Sequence, residues 1–553
     1  MNITILPLDD RPVNYDYLQM LAAVADVQVS LPPRGWLGNP WRAARHAELV
    51  SWLKESAASA DAVIVAADTL AYGGLIPSRS APDSFEMVSE KLGLLSELKK
   101  NHPGLPILAS SVIQRVSRAN SAEEEKSYWA EFGSRMFRLS MLEHKSALNE
   151  ASAEEITECG RLKAEIPAEI YADYASIRAR NHQVNRLMLD LAKKGVVDYL
   201  LLPQDDTADY GWNIAEARQL QMIIRREGLT HCAITYPGAD EIGCLLLARL
   251  ICTQHGFVPR IYPRFSSSSS APIITEYEDR PMLELVKAHL APLNGIVVES
   301  SETADIQLFI NAPAIKQGVG ELQWAAQYTT DELLQKVPPA LKGYVDSLAA
   351  DPYFQMTRRE MQTPRRSPEE FCRAILAAVR SGKRVAVADV AFVNGSDLIL
   401  GSQLVQHPEI ARLAAYGGWN TAGNTLGTVL AQACIFAAQR GKGLRPEQLM
   451  AHLEFLFLRF LDDYCYQALE RTLCMMEDLP AAGLHPGEER LPDGDIARSI
   501  ERCVARRLQD QARMLENRFQ EAGLVSAVDV SDIYLPWQRL FEIGCTIHAT
   551  RKS

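Results

Sequence analysis

Short hydrophobic runs alternate with amphipathic segments of helix length through the first half of the chain. Runs that read as strands lie at 3–8, 27–31, 62–67, 107–113, 197–202, 232–236 and 260–262. The segment 84–100 between them has helical spacing and stops at Asn101-His102-Pro103-Gly104. Repeated β-α units predict an α/β fold with a mainly parallel sheet. Either a barrel-like or an open sheet fits, and seven strands favour the barrel.

Composition changes divide the chain further. A stretch rich in Glu, Lys, Arg and Ala at about 121–194 predicts a helical insertion, and the pattern from about 421 onward is helical. Five serines at 266–270 predict a linker, with an ordered loop as the alternative. We therefore expect an α/β domain at 1–265, a second, smaller α/β domain at 271–430, and a helical region at 431–553.

Bulk properties narrow the class of protein. The 553 residues exceed what one hydrophobic core accommodates. A net charge of −12 without a long Lys/Arg block argues against nucleic acid and anionic membranes as partners. The chain starts without a signal-peptide pattern and has no apolar run of about 18 residues, so we expect a cytoplasmic protein. Ten cysteines without C-x-x-C spacing argue against structural zinc and a disulfide framework.

Acidic residues follow several of the predicted strands. The pair Asp205 and Asp206 comes directly after an apolar run. Because parallel strands present their carboxyl ends at one edge, these acids predict a shared acidic cleft. Capping of a turn or helix explains any one of them equally well, but a turn does not need two adjacent carboxylates. The other strand-end acids are Asp9, Asp10, Asp68, Asp240, Glu241 and Asp389.

Three further segments contain candidate binding residues. Arg11 can hold a neighbouring carboxylate ionised, or simply close a turn with a surface ion pair. Asp68 and Tyr72 precede the pair Gly73-Gly74, which either lines a pocket or forms a plain turn. Near Asp240 and Glu241, helix capping and a place in the cleft are both possible.

One helix face and one glycine-rich loop complete the set. Four polar residues share a face at helical spacing, and a solvated surface is the alternative. The loop 416–427 contains an aromatic ring and carboxamides that can grip a sugar, although Asn420 or Thr421 can also cap the following helix. The residues concerned are Arg178, Asn181, His182 and Asn185 on the helix, and Trp419, Asn420 and Asn424 in the loop.

Six ordered motifs resemble a bacterial family known only as domain-of-unknown-function family 4127. The resemblance covers nearly the full length and implies a bacterial source, but it brings no established activity. The motifs are Pro-Leu-Asp-Asp-Arg-Pro at 7–12, Ala-Tyr-Gly-Gly-Leu at 71–75, Arg-Asn-His at 180–182, Gln-Asp-Asp at 204–206, Pro-Gly-Ala-Asp-Glu at 237–241 and Gly-Trp-Asn-Thr at 418–421.

The leading hypothesis is a glycoside hydrolase acting on a soluble glycoside or oligosaccharide. Glycoside cleavage needs a carboxylic acid and a carboxylate, and we assign Asp206 as the acid and Asp205 as its partner. No cofactor is expected. A Mg²⁺- or Mn²⁺-dependent hydrolase or lyase is one alternative, because clustered carboxylates suit those ions. A non-catalytic sugar-binding or regulatory protein is another. The expected substrate-binding residues are Asp10, Arg11, Asp68, Tyr72, Asn181, His182, Asp240, Glu241, Trp419, Asn420 and Asn424.

Overall fold

A computed structural model describes residues 1–337, 341–439, 443–488 and 490–552. The strands in chain order are β1 Asn2–Leu6, β2 Gln28–Ser30, β3 Ala62–Ala66, β4 Ile107–Ser110, β5 Tyr199–Gln204, β6 Ala233–Pro237, β7 Arg260–Phe265, β8 Ile296–Val297, β9 Ile306–Asn311, β10 Gly318–Val319, β11 Val385–Asp389, β12 Phe392–Val393, β13 Ala415–Gly417, β14 Val525–Tyr534 and β15 Gly544–Arg551.

Helices make up most of the remaining regular structure. In chain order they are α1 Asp16–Val24, α2 His46–Ala57, α3 Ala67–Tyr72, α4 Leu75–Ser78, α5 Phe85–Asn101, α6 Trp129–Ala147, α7 Ala153–Glu165, α8 Ala168–Lys193, α9 Trp212–Arg226, α10 Ile242–Gln254, α11 Met282–Leu290, α12 Gln323–Ala326, α13 Thr330–Lys336, α14 Lys342–Ala350, α15 Pro352–Met361, α16 Pro368–Arg380, α17 Leu398–Leu404, α18 Ala422–Ala438, α19 Pro446–Arg459, α20 Arg471–Leu473, α21 Leu479–Ala481 and α22 Asp495–Glu521. Two stretches, Phe460–Glu470 and Cys474–Asp478, are π-helical.

The strands form two parallel sheets. The first has the order β2-β1-β3-β4-β5-β6, and the second has the order β13-β11-β9-β7-β8. Both sheets are open, so of the two sequence alternatives the open sheet is the one observed. In each sheet the first strand along the chain lies between the second and third, which is the doubly wound order.

Strand β7 corrects one detail of the sequence prediction. It pairs with β8 and β9 in the second sheet, so the first sheet has six strands. The serine tract that follows β7 is packed against the end of β9 and is not a loose linker. Ser270 is fully buried, and its hydroxyl donates to the carbonyl oxygens of Ala312 and Pro313 at 3.2 and 2.8 Å.

The chain divides into two compact units, and neither is a continuous stretch. The first comprises Met1–Leu18, Val27–Leu246 and Tyr277–Asp279, and the second comprises Gln19–Asp26, Leu247–Glu276 and Arg280–Ser553. Within the second unit, the side chain of Gln448 donates to the carbonyl oxygen of Val24 at 3.1 Å. A segment from the beginning of the chain therefore completes the unit that contains its end.

Burial of apolar strand residues stabilises the first sheet. Val63 and Val65 of β3 and Leu200 of β5 are fully buried, and they share one core with Leu95 of α5 and Met188 of α8. Continuous apolar runs such as these are typical of parallel strands that are covered on both faces.

The predicted helical insertion is present as α6, α7 and α8, which pack around a small core of their own. The helical C-terminal region is also present, and it ends in an antiparallel hairpin, β14–β15, that the sequence did not predict. In the described residues, every helix is too short or too polar to cross a membrane. All ten cysteines lie in the described ranges as free thiols, and eight of them are buried.

Candidate functional site

The carboxyl ends of the first sheet form one connected surface. The hydroxyl of Thr69, which follows β3, donates to the carbonyl oxygens of Pro7 and Leu8 after β1, at 2.7 and 2.8 Å. The amide of Gly238 after β6 donates to the carbonyl oxygen of Gln204 at the end of β5, at 3.1 Å. Ligands of doubly wound sheets bind at this edge, so these loops are where a site is expected.

Two arginines occupy the centre of this edge. The guanidinium of Arg79 is only 1 % exposed and donates to Asp205 at 2.7 Å and to Glu124 at 3.0 Å. Asp205 is thus tied by a charge-assisted hydrogen bond to a buried guanidinium. The position of its side chain in the site is therefore fixed by Arg79.

Arg115 makes the matching contacts on the other side. Its guanidinium donates to Asp206 at 3.1 Å, to Glu124 at 2.9 Å and to Glu125 at 3.2 Å. Glu124 thereby links Arg115 to Arg79. The arginine–carboxylate cluster consists of Arg79, Arg115, Glu124, Glu125, Asp205 and Asp206.

Asp206 differs from the other acids of the cluster. Its side chain is 29 % exposed, and its backbone is left-handed with φ of 41°. A non-glycine residue in that conformation is strained, and such strain concentrates at functional positions. Burial of its surroundings raises the pKa of Asp206 to about 6, against the lowering effect of Arg115 and with help from the charge of Asp205. A carboxyl group with this pKa can be protonated close to neutral pH.

Asp68 lies in the first turn of α3, directly after β3, and is buried. Burial raises the pKa of Asp68 to about 7, although the amide of Val112 donates to its Oδ2 at 3.0 Å. The charge of Asp205 also contributes to this rise, which places the two carboxyls in one electrostatic neighbourhood. Tyr72, one helical turn later, is buried, and the guanidinium of Arg180 covers its ring at 4.7 Å.

Gly73 ends α3 in a left-handed conformation with φ of 91°, and its amide donates to the carbonyl oxygens of Asp68 and Thr69. A Cβ at Gly73 would lie 2.7 Å from the backbone nitrogen of Ala44. The glycine is therefore needed for a close approach of two protein segments, which supports the turn interpretation of this pair of glycines.

A second group of charges joins the ends of β1 and β6. Arg11 is buried and bridges Asp9 at 2.7 Å and Asp240 at 2.6 Å. Asn14 donates to the other oxygen of Asp9 at 2.9 Å. The predicted surface ion pair is thus a buried network, and Asp240 takes part in it. Asp10 beside it is half-buried.

Glu241 does not line an open surface. It is fully buried next to Tyr236, which is also fully buried. Burial raises the pKa of Tyr236 well above its usual range, and the neighbouring charge of Glu241 and a hydrogen bond to it add to the effect. Both side chains belong to the packing between β6 and α10.

The polar face predicted on α8 is real, but it is buried rather than solvated. Arg178 donates to the carbonyl oxygens of Gln114 and Arg115 at 3.0 and 2.9 Å. Asn181 donates to the side chain of Gln114 at 2.8 Å, and Asn185 accepts from Ser111 at 2.6 Å. This face of α8 therefore clamps the segment that follows β4, which is the segment that carries Arg115.

His182 points elsewhere. It is half-buried and is hydrogen-bonded to Gln219 of α9, and burial lowers its pKa, with the charges of Arg186 and Arg178 acting in the same direction. Neutral histidine at this position fits the packing of α8 against α9. The structure does not bring it to the arginine–carboxylate cluster.

The loop 416–427 belongs to the second unit. The Trp419 ring is 1 % exposed and lies edge-on to Phe541 at 5.9 Å between ring centroids. Thr421 caps α18 by accepting from the amide of Asn424, which is buried, and Asn420 is half-buried with φ of 65°. The capping interpretation is confirmed for Thr421, and the Trp419 ring is not at the surface.

The carboxyl edge of the second sheet is polar but enclosed. Asp389, at the end of β11, accepts from Asn311 at 2.8 Å and from the backbone of Asp397 at 2.9 Å. Arg366 donates to Asn311, Asp397 and Glu360, and all five residues are buried. Asp389 is therefore enclosed in a buried hydrogen-bond network of its own unit.

The two arginines of the cluster, Arg79 and Arg115, were not predicted from the sequence. Arg115 follows β4, the one inner strand of the sheet without an acid at its end, and Arg79 lies in an undistinguished helix–loop segment. The position of Arg115 after a strand was an available signal; Arg79, Glu124 and Glu125 carried none. Among the described residues, no three His, Cys, Asp or Glu side chains are arranged to hold a metal ion.

No curated protein matches the chain. A family model described as "Protein of unknown function (DUF4127)" matches residues 3–546. These residues include the arginine–carboxylate cluster and every candidate site residue that the sequence suggested. The chain therefore belongs to the DUF4127 family.

Proposed function

We propose that the protein is a glycoside hydrolase that acts on a soluble glycoside or oligosaccharide in the cytoplasm. One observation carries the proposal. Asp206 combines a raised pKa, partial exposure and a left-handed backbone, and it lies next to Asp205, which is hydrogen-bonded to Arg79. A carboxylic acid and a carboxylate in one site are the two groups that glycoside cleavage requires.

The chemistry assigned to Asp206 is proton donation to the glycosidic oxygen. Its raised pKa keeps a proton available near neutral pH, and its exposed fraction lets a substrate approach. Once the proton has left, the new carboxylate is stabilised by the guanidinium of Arg115 at 3.1 Å. Asp205 supplies negative charge that favours a positively charged sugar in the transition state.

The remaining predicted residues divide by exposure. Asp10 and Asp240 are half-buried at the same edge and are the candidates for accepting sugar hydroxyls. Arg11, Asp68 and Asn181 are buried, and we assign them to holding the loops in place. Trp419, Asn420 and Asn424 remain predictions, and the buried ring of Trp419 offers no platform for a sugar.

A screen of aryl glycosides and soluble oligosaccharides tests the proposal, with Asp206→Asn as the decisive variant. Asp209→Asn is the matched control, because Asp209 lies in the same loop and is exposed. We expect the wild type and Asp209→Asn to release sugar at equal rates and Asp206→Asn to lose about 100- to 10,000-fold in kcat. Equal turnover by Asp206→Asn would remove the assignment, and no turnover by the wild type across the panel would overturn the proposal.

A binding role without catalysis is the second candidate. It is favoured by the engagement of Asp205, Glu124 and Glu125 with arginines, since carboxylates held in this way act as fixed acceptors. It predicts that a sugar from the same panel raises the melting temperature of the wild type while no product forms.

A further inference from the structure

The tripeptide Tyr277–Asp279 belongs to the first unit although the chain on both sides of it belongs to the second. Its residues form hydrogen bonds with the residues that precede and follow Asp205 and Asp206. Thr207, the residue after Asp206, donates to the carbonyl oxygen of Tyr277 from its amide at 2.8 Å and from its hydroxyl at 2.7 Å. Gln204, the residue before Asp205, donates to Asp279 at 3.2 Å.

The ring of Tyr277 is held in a fixed orientation next to this loop. The guanidinium of Arg118 stacks on the ring at 4.9 Å and lies 5.5 Å from the ring of Phe137. Arg118 also donates to the carbonyl oxygen of Thr207 at 3.2 Å. Cation–π contacts of this kind orient a ring before any ligand arrives. Tyr277 is half-buried, so part of its surface reaches solvent.

The backbone at Tyr277 has a conformation that an aromatic residue disfavours. Tyr277 has φ of 67°, a left-handed value that is unfavourable for a non-glycine residue. Asparagine and glycine adopt this conformation more readily, so a plain turn would favour them. The two hydrogen bonds from Thr207 hold the strained residue in place.

Gln204 provides an independent sign of a ligand. Its side chain is 1 % exposed, and its amide nitrogen is occupied by Asp279. Its Oε1 has no hydrogen-bond partner in the described part of the chain. A buried acceptor without a donor is unfavourable, and a hydroxyl donor from a ligand would supply the missing hydrogen bond.

We propose that Tyr277 is the platform for the sugar ring of the substrate and that Gln204 Oε1 accepts one of its hydroxyls. The inference rests on the proposed function and deepens it: the ligand class is a neutral pyranoside, whose apolar face covers the aromatic ring while its hydroxyls meet polar groups. Tyr277 therefore has the role of stacking on the sugar ring, which the sequence had suggested for Trp419.

The test compares Tyr277→Asn, which keeps the left-handed backbone and removes the ring, with Tyr277→Phe, which keeps the ring. Tyr210→Asn is the control, because Tyr210 lies in the loop after β5 and bonds to Glu150. KM and kcat are measured on the aryl glycoside that the wild type hydrolyses. We expect Tyr277→Asn to raise KM at least tenfold with kcat within threefold of wild type, and the other two variants to stay within threefold on both.

An unchanged KM in folded Tyr277→Asn would overturn the inference and leave hydrolysis standing. If Tyr277→Asn does not fold, Tyr277→His decides, because histidine also tolerates positive φ and its smaller ring should raise KM by more than about threefold. If the wild type hydrolyses nothing, calorimetric titration with methyl pyranosides separates the cases. Binding that Tyr277→Asn loses supports the platform without catalysis, and absence of binding by the wild type overturns it.

Discussion

Two pairs of adjacent aspartates illustrate how surroundings decide the role of the same dipeptide. Asp205–Asp206 follows a strand, and Asp206 is 29 % exposed. Asp462–Asp463 lies in the π-helical stretch of the second unit, and both residues are buried. Both pairs contact arginine and both include a raised pKa, so charge and pKa alone do not separate them. Access for a substrate separates the two pairs, because Asp206 is partly exposed whereas Asp462 and Asp463 are buried.

The buried pair holds structure together. Asp463 accepts from Arg459 and from the amide of Gly418, the latter at 2.5 Å, and thereby ties the helix to the loop after β13. Burial raises the pKa of Asp462 to about 8, with a further contribution from the charge of Asp463. An uncharged Asp462 beside an ion pair is a stable arrangement for a dry interior.

The largest expected effect separates the two pairs by activity. Asp206→Asn should lose about 100- to 10,000-fold in kcat because the proton donor is gone. Asp463→Asn should keep the wild-type kcat per folded molecule. Turnover normalised to the folded fraction, measured by circular dichroism, checks both. A comparable loss of kcat in folded Asp463→Asn would erase the distinction.

Stability should show the reverse order. Asp463→Asn removes the carboxylate that is paired with the fully buried Arg459 and should lower the free energy of unfolding by about 3–5 kcal/mol. Asp206→Asn, at a partly exposed position, should change it by less than about 1 kcal/mol. Urea unfolding of the two variants in parallel gives the comparison, and similar losses would contradict it.

Asp68 tests whether a buried acid in the first unit behaves like the helical pair. Its folded pKa is raised to about 7, so its protonated form favours the folded state at low pH and this stability is lost as the pH rises through 7. Asp68→Asn stays neutral and should match the wild type near pH 4. It should exceed the wild type by up to about 4 kcal/mol above pH 7, the free energy of the shift. Melting temperatures across this range measure the gap, and parallel curves would refute it.

A smaller expected effect concerns the pH dependence of the activity that we assign to Asp206. Its activity as an acid should decline as the pH rises through about 6, where it loses its proton. Arg178 fixes the segment that carries Arg115, the cation that opposes the rise in this pKa. Arg178→Lys should loosen Arg115 and shift the decline in kcat/KM to higher pH, with a loss of less than about tenfold at pH 5. A stability change with an unshifted pH profile would restrict Arg178 to folding.

No effect is expected from chelation. The described residues offer no group of three metal-ligating side chains, and the two aspartates of the cluster are already hydrogen-bonded to arginines. Activity after dialysis against EDTA should equal that of the untreated protein. A loss restored by Mg²⁺ or Mn²⁺ would bring back the divalent-cation alternative.

Strand positions were predictable because buried parallel strands are continuous apolar runs, and the acids that follow them lie, as expected, at the carboxyl ends of strands in the first sheet. Sheet membership was not predictable in the same way: β7 has the same apolar character whichever sheet it joins. The hairpin β14–β15 was missed although alternating polar and apolar residues are typical of strands, because it follows a long helical pattern.

Only part of the candidate site could be predicted from the sequence, for a related reason. Strand-end acids can be read from one local segment, whereas the role of Arg79 depends on Glu124 and Asp205, which lie 45 and 126 positions away. The burial of side chains could not be predicted either, because nothing in the sequence around Trp419 distinguishes a packed ring from an exposed one. The polar face of α8 was identified, but its partner segment after β4 was not.

The interleaving of the two units has a consequence for the biosynthesis of the chain. Residues Gln19–Asp26 are synthesised near the start of translation, yet they belong to the unit that includes residue 552. They must wait for Gln448 to be translated before their contact with it can form. A C-terminal fragment that starts at residue 247 would therefore lack part of its own interior, and adding a peptide of residues 19–26 should improve its yield of native protein.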